Sequence, residues 1–218
     1  VYKRQFLDTY GADQVFSSID TGGRYAWGRQ STIAAWNHAR FAESLAPILA
    51  DDEEIAVSLA QEASDRFGDM MRNSLRTWFS RKLGFSRQRD GDDTLVRDFL
   101  AWMESNKKDF TTAFRYLADY MDEKYSPEHF PDESWFDNWK ARQAEESDAT
   151  RVIDRANPRL HPRNRAVQSA LDAAEKGDTQ PYERLMEQLK DPWGEGSPEL
   201  APIVQEENSV RFITFCGT

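Results

Sequence analysis

Apolar positions along the chain first show a stretch without a period and then a long succession of helical periods. Between 6 and 32, Gly11, Gly22, Gly23 and Gly28 alternate with scattered aromatics, which predicts irregular structure. From Ile33 the spacing becomes helical: Ile33, Trp36, Phe41, Leu45, Ile48 and Leu49 fall mostly on one side, with Ser31 or Thr32 placed to cap the start. The acidic run Asp51-Asp52-Glu53-Glu54 suits the positive end of a helix dipole. It opens a second, longer period through Ile55, Leu59, Ala63, Phe67, Met70 or Met71, Leu75, Trp78 and Leu83, with Gly68 as a candidate interruption. Gly84 and Asp90-Gly91-Asp92-Asp93 break the pattern. Leu95, Val96, Phe99, Leu100 and Met103 make one short helix, and Phe110, Phe114, Leu117 and Met121 another, capped by Asp109 or Thr111. A connector with Pro127 and Pro131 precedes Trp135, Phe136 and Trp139, whose helix should dissolve in the polar stretch 140–150. Val167, Ala170, Leu171 and Ala174 form a helix that stops at Gly177-Asp178. Pro181 then takes a first helical position ahead of Tyr182, Leu185, Met186 and Leu189, and Pro192 ends that segment. The tail 210–215 is β-branched and aromatic, suited to a lone strand or extended arm lying against something else. No internal repeat and no βαβ alternation occurs, so the expected class is mainly α.

Composition adds that this is a packed protein. Among 218 residues the hydrophobic set makes up 39% and there are seven tryptophans, too much core-forming material for a disordered acidic tail. With 28 basic against 38 acidic residues the net charge is −10, which argues against a general nucleic-acid or anionic-membrane surface, while leaving room for a local basic patch. No apolar run approaches the roughly 18 residues needed to span a bilayer, and nothing at the start resembles a signal peptide, so a soluble, cytoplasmic protein is expected. Cys216 is the single cysteine, which excludes an intrachain disulfide and any multi-cysteine metal site within these residues. The first five residues, Val1-Tyr2-Lys3-Arg4-Gln5, match one translation frame of a transposase end used in sequencing libraries. They are expected to be an adapter artefact, the alternative being an ordinary truncated or processed terminus.

Local chemistry names no function. His38, His129 and His161 lie far apart and form no HExxH or Cys-His spacing. Asp90-Gly91-Asp92-Asp93 hints at a calcium loop, but the twelfth position is Ala101 rather than a bidentate glutamate. Gly22-Gly23-Arg24 lacks the spacing and lysine of a Walker loop and reads as a turn. Ser17 and Ser18 have no base nearby in sequence. The run Arg151, Arg155, Arg159, Arg163 and Arg165 reads first as a solvated face paired with neighbouring acids, and second as an anion site. Cys216 is either a reactive thiol on a terminal arm or a buried, inert one.

Several ordered segments together resemble one family. Gly23-Arg24-Tyr25-Ala26-Trp27-Gly28-Arg29-Gln30, with Ile33, Trp36-Asn37, Arg40 and Ala42-Glu43, is similar to the GRYAxGNQPxIxxWNLxRLAEAL signature of the selenoprotein O, or YdiU, family. Asn157-Pro158-Arg159 with Arg163-Asn164, then Ala170, Ala173-Ala174, Glu175 and Gly177-Asp178, resembles its NPxxxxRNxxxxxAIxxAxxGD element. Lys82-Leu83-Gly84, the stretch from Asp109 to Arg115 and the ending Thr214-Phe215-Cys216-Gly217-Thr218 follow in the same order. The resemblance implies the helical large lobe of a protein-kinase-like (pseudokinase) fold, with an activation-segment equivalent at about 8–32 and a helical lobe plus extension over 33–218. It also implies transfer of AMP from ATP, with magnesium, to Ser, Thr or Tyr hydroxyls of protein substrates. In the family the small lobe, the HGVMNTDN-type segment and the DYG-type aspartate precede the part resembled here, and Phe6-Leu7-Asp8 resembles the FxD that follows DYGPFG. No catalytic, nucleotide-binding or metal residue is therefore expected among these residues, and the chain by itself is expected to be inactive. Arg29 and Ser31 stand where the family has asparagine and proline. Some members pair their terminal cysteine with one in the activation segment; here that stretch is Val15-Phe16-Ser17-Ser18, so Cys216, the candidate redox residue, is expected to lack that bridge. The rival readings are a non-enzymatic helical interaction module and a true kinase lobe, the latter weakened by the absence of HRD and APE signatures.

Overall fold

The computed structural model describes residues 7–17, 19–121 and 124–194. Among them a 3-10 turn, Trp27–Arg29, leads into eight α-helices: α1 (Gln30–Leu49), α2 (Glu53–Lys82), α3 (Asp92–Ser105), α4 (Phe110–Asp119), α5 (Glu133–Gln143), α6 (Ala149–Ala156), α7 (Asn164–Glu175) and α8 (Gln180–Gln188). The mainly α expectation holds. Within the described residues, extended pairing is confined to a single antiparallel bridge between Thr9 and Asp109, and no helix is long and apolar enough to cross a membrane. The tail 210–215, Cys216 and the segment 1–5 lie outside the described residues.

Local chemistry explains most of the boundaries. The Asp52 carboxylate accepts from the Ile55 amide at 3.0 Å, Glu53 and Glu54 occupy the first turn of α2, and Arg81 and Lys82 its last, so both ends complement the dipole. Asp109 caps α4 and Asp132 caps α5 in the same way, at 2.8 and 2.7 Å. Two expectations are corrected. Neither Ser31 nor Thr32 caps α1: the 3-10 turn carries the chain into the helix, and the Gln30 side chain donates to the Tyr25 carbonyl at 2.6 Å. Gly68 does not interrupt α2, because one interior glycine costs only ~1 kcal/mol against thirty residues of helix. The helix of Trp135 and Trp139 does end in the polar stretch, at Gln143, and a further helix, α6, whose buried face is as narrow as Ala149 and Ile153, follows from Ala149.

Gly84, at φ +91, turns the chain out of α2 and returns Phe85 to the interior. The core forms there, with Leu83, Phe85, Phe99, Phe114, Trp139 and Ile153 fully buried. Aromatic rings fill much of it: Phe99 stacks on Trp135 at 5.0 Å and meets Phe114 edge-on at 5.1 Å. The indole of Trp139 and the amide of Gln143 both donate to the Leu83 carbonyl at 2.9 Å, which satisfies the end of α2 in a dry setting. A smaller cluster, Leu160, Ala170 and Leu185, joins α7 to α8. In contrast, α1 packs chiefly along α2, to which it is joined by a short loop.

Candidate functional site

The site worth building is where the irregular amino-terminal stretch is fastened to the helices. The Tyr10 amide donates to the Lys108 carbonyl and the Phe110 amide to the Asp8 carbonyl, each at 2.8 Å, so residues 8–10 lie along the start of α4. Asp109 therefore has two roles. One carboxylate oxygen caps α4, and the carboxylate also receives the guanidinium of Arg163. The same Arg163 Nη1 donates to Asp8 at 3.0 Å, and Asn164 Nδ2 donates to the other Asp8 oxygen at 3.1 Å. Arg163 has only 3% of its side chain exposed, so one dry cation links two carboxylates from separate parts of the chain. His161 adds a third tie. Its Nε2 lies 3.1 Å from the Leu7 carbonyl, which can only accept, and 3.5 Å from Arg163 Nη1, which can only donate. Burial lowers the pKa of His161 and the Arg163 charge lowers it further, overriding the Leu7 carbonyl and the two aspartates that favour protonation.

A second network lies behind the first. Arg115 donates to Asp119 and Asp154 and to the Asn157 carbonyl, and Arg159 donates to Asp119 at 2.7 and 3.0 Å. Burial alone would raise the Asp119 carboxyl, but the hydrogen bonds and charges of Arg115 and Arg159 outweigh it and hold the group below the usual range. Asn157 donates to the Lys82 and Ile153 carbonyls, both at 2.9 Å, and accepts from Lys82 Nζ at 3.0 Å. That ammonium sits 4.8, 5.5 and 5.0 Å from the ring centroids of Trp78, Phe110 and Phe114. Burial pushes its pKa down to about 8.

The turn at Gly22-Gly23-Arg24 is built by Asp20, whose two carboxylate oxygens accept from the Arg24 and Tyr25 amides at 2.8 Å each, with Gly23 at φ +62. Arg24 lies over the Trp36 ring at 4.5 Å. Beside it is a shallow cavity of about 270 Å³, lined by Phe16, Ser17, Ile19, Asp20 and Tyr25.

The other sequence candidates disperse. His38 stacks on Phe67 and His129 on Tyr116, each at 4.4 Å. Asp92 is not a calcium ligand: it is buried, and it accepts from Arg142 at 2.9 Å. Three of the arginine run, Arg151, Arg159 and Arg163, are paired with acids, yet the run is not one solvated face, since Arg163 is interior while Arg151 is exposed and bonded to Asp148. Ser17 is mostly buried, and its hydroxyl accepts from the Ile19 amide. Ser18 and Cys216 are outside the described residues. Sequence reasoning missed the Asp8–Arg163–Asp109 junction, because the cap at Asp109 was legible but its second partner lies 54 residues on. It also missed the aromatic surroundings of Lys82, where Trp78 of the same helix is joined by Phe110 and Phe114 of α4.

As a donor set for magnesium, the junction does not fit. Asp8 and Asp109 are already bonded to Arg163, and no three His, Cys, Asp or Glu side chains converge among the described residues. What the arrangement can do is hold residues 7–10 at a fixed place and angle.

Comparison with known proteins matches residues 4–190 to the family model described as Protein adenylyltransferase SelO. The protein nucleotidyltransferase YdiU of Geobacillus kaustophilus is 39% identical over 98% of this chain and 46% of its own length. That of Halalkalibacterium halodurans is 37% identical over 98% of this chain and 45% of its own. The Mycolicibacterium smegmatis protein of the same name is 39% identical, with 98% and 44% covered. The chain thus spans less than half the length of these curated relatives.

Proposed function

This chain belongs to the SelO family, and from that premise we propose that it is the back portion of a protein adenylyltransferase, in which it forms the helical large lobe of a kinase-like fold. In the longer protein, AMP passes from ATP to Ser, Thr or Tyr hydroxyls of other proteins. ATP and magnesium are held by residues upstream of Val1, and the present residues supply support and geometry. The bond made is from the acceptor oxygen to the α-phosphorus, the bond broken is that to pyrophosphate, and the hydroxyl proton goes to an upstream base.

The observation that carries this reading is the junction on Asp8. Residues of the NPxxxxRN-like element, Arg163 and Asn164, reach across the fold to the FxD-like segment, with Asp109 completing the tie. By the resemblance, the segment so fastened follows directly on the metal-holding aspartate. A catalytic group placed by such a dry ion pair keeps its position without reorganisation during reaction, which is what phosphoryl-type chemistry demands.

Transfer of label from α-labelled ATP to protein tests the proposal. The native gene product extended upstream should label a generic acceptor protein or itself in the presence of magnesium, and the 218-residue chain should not. Labelling by the 218-residue chain alone, or none by an extended product with its nucleotide and magnesium residues intact, would sink it.

A further inference from the structure

The α1–α2 pair carries an apolar side that nothing described here covers. Of the fifteen large apolar side chains left exposed among the described residues, ten lie on these two helices. Along α1, Ala42 and Leu45 turn toward α2, while Phe41 (62% exposed) and Ile48 (80%) point outward. Along α2, Ala56 and Ala60 turn inward, while Ile55 (55%) and Met70 (64%) point outward, with Leu59 between them. At ~100° of helical rotation per residue, both outward rows sit about a quarter turn back from the inward row of their own helix. The helices run antiparallel, so the same sense of rotation brings both rows to one side of the pair. Five of the ten, Phe41, Ile48, Ile55, Leu59 and Met70, therefore share one side, on which Phe41, Ile48, Ile55 and Leu59 cluster by the α1–α2 loop and exposed Glu62 and Arg66 lie between them and Met70.

We infer that this face is an internal interface, occupied by the part of the protein that precedes residue 1. The inference rests on the reading above, that the chain is the back portion of a longer one. Two observations select this occupant. The relatives are more than twice as long as the region they share with this chain, 46% of the first relative being covered, so a domain's worth of polypeptide is available. In addition, α1 is apolar on two sides, the pattern of a helix packed within a core rather than one lying on a surface. Such a helix calls for a second layer of structure. The 24 residues after Gly194 are few beside that length. A contiguous apolar patch beyond a few hundred Å² is unusual on a free monomer and is covered in the working molecule.

Oxidative footprinting of Met70 tests the interface in wild-type protein. In the 218-residue chain Met70 should react freely, and in the gene product extended upstream it should react about tenfold more slowly. The substitutions Phe41→Ser and Leu59→Ser should lower the melting temperature of the extended protein by about 3–6 °C each and leave the 218-residue chain unshifted. Equal Met70 reactivity in both proteins overturns the inference. Protection within the 218-residue chain that disappears on dilution identifies a second copy as the occupant, and protection that persists on dilution identifies residues 195–218; either result overturns it. AMP transfer is scored on the same extended protein: protection without transfer defeats only the catalytic reading, and transfer without protection defeats only this interface.

Discussion

Lys82 shows how a residue's surroundings become a property that can be measured. Its ammonium is buried without a carboxylate, held by the Ala156 carbonyl, Asn157 and three aromatic rings. With a folded value of about 8 against ~10.4 for an unfolded lysine, the native state binds fewer protons than the unfolded state between those limits. Stability from this group therefore rises with pH through that window, by about 3 kcal/mol at most. Urea unfolding of wild type and Lys82→Met, compared at pH 8 and pH 10, should show wild type gaining on the variant. The Tyr10 phenol, pushed up to about 12 by burial and the Glu104 charge, lowers stability as pH rises from about 10, in wild type and variant alike, so it drops out of the comparison. Arg163 makes the opposite case, a buried charge that is paired. Arg163→Met leaves Asp8 and Asp109 facing each other in a dry site and should cost about 3–5 kcal/mol. Arg163→Lys keeps the charge but loses the fork, and should cost less. Hydrogen exchange at residues 7–10 should quicken in both variants, which general destabilisation at constant protection would not produce.

At the scale of elements, one substitution at two glycines should have opposite signs. Gly68 lies in the interior of α2, and a Cβ there meets only the end of the Arg72 side chain at 3.5 Å, so Gly68→Ala should stabilise by about 0.5–1 kcal/mol. Gly84 ends the same helix at φ +91, and a Cβ there comes within 2.7 Å of the Gln143 amide that bonds to Leu83. Gly84→Ala should destabilise by about 2–4 kcal/mol, combining left-handed strain with the displaced hydrogen bond. Thermal melts of the two variants check both signs. The helices with one strong apolar row and a capping aspartate, α2, α4 and α5, were legible in the sequence, because cap and period are local signals. Helix α6 was not, since eight residues with one large buried side chain, Ile153, hardly differ from a polar loop until a neighbour gives that residue somewhere to go.

Over the whole molecule, support is uneven. The second half of α2 is set among α3 and α6 and ends at the aromatic core, whereas its first half has α1 as its chief neighbour. Native-state hydrogen exchange in the 218-residue chain should accordingly find α1 and the first half of α2 opening at lower free energy than residues 72–82. Family membership follows from ordered motifs, and those motifs were readable as they stood: the Gly23 to Gln30 segment, Asn157-Pro158-Arg159 and Arg163-Asn164. Their purpose was not. The sequence by itself determined most of the helices, the Asp109 cap and the family to which the chain belongs, because propensity, capping and motif order act over a few neighbouring residues. Only the tertiary structure decided that Arg163 meets Asp8 from 155 residues away, that Lys82 sits among three rings, and that Phe41 and Ile48 lie uncovered on the outer side of α1. Each of these depends on which surfaces meet after the helices have packed, and the spacing of residues along one element carries no record of that.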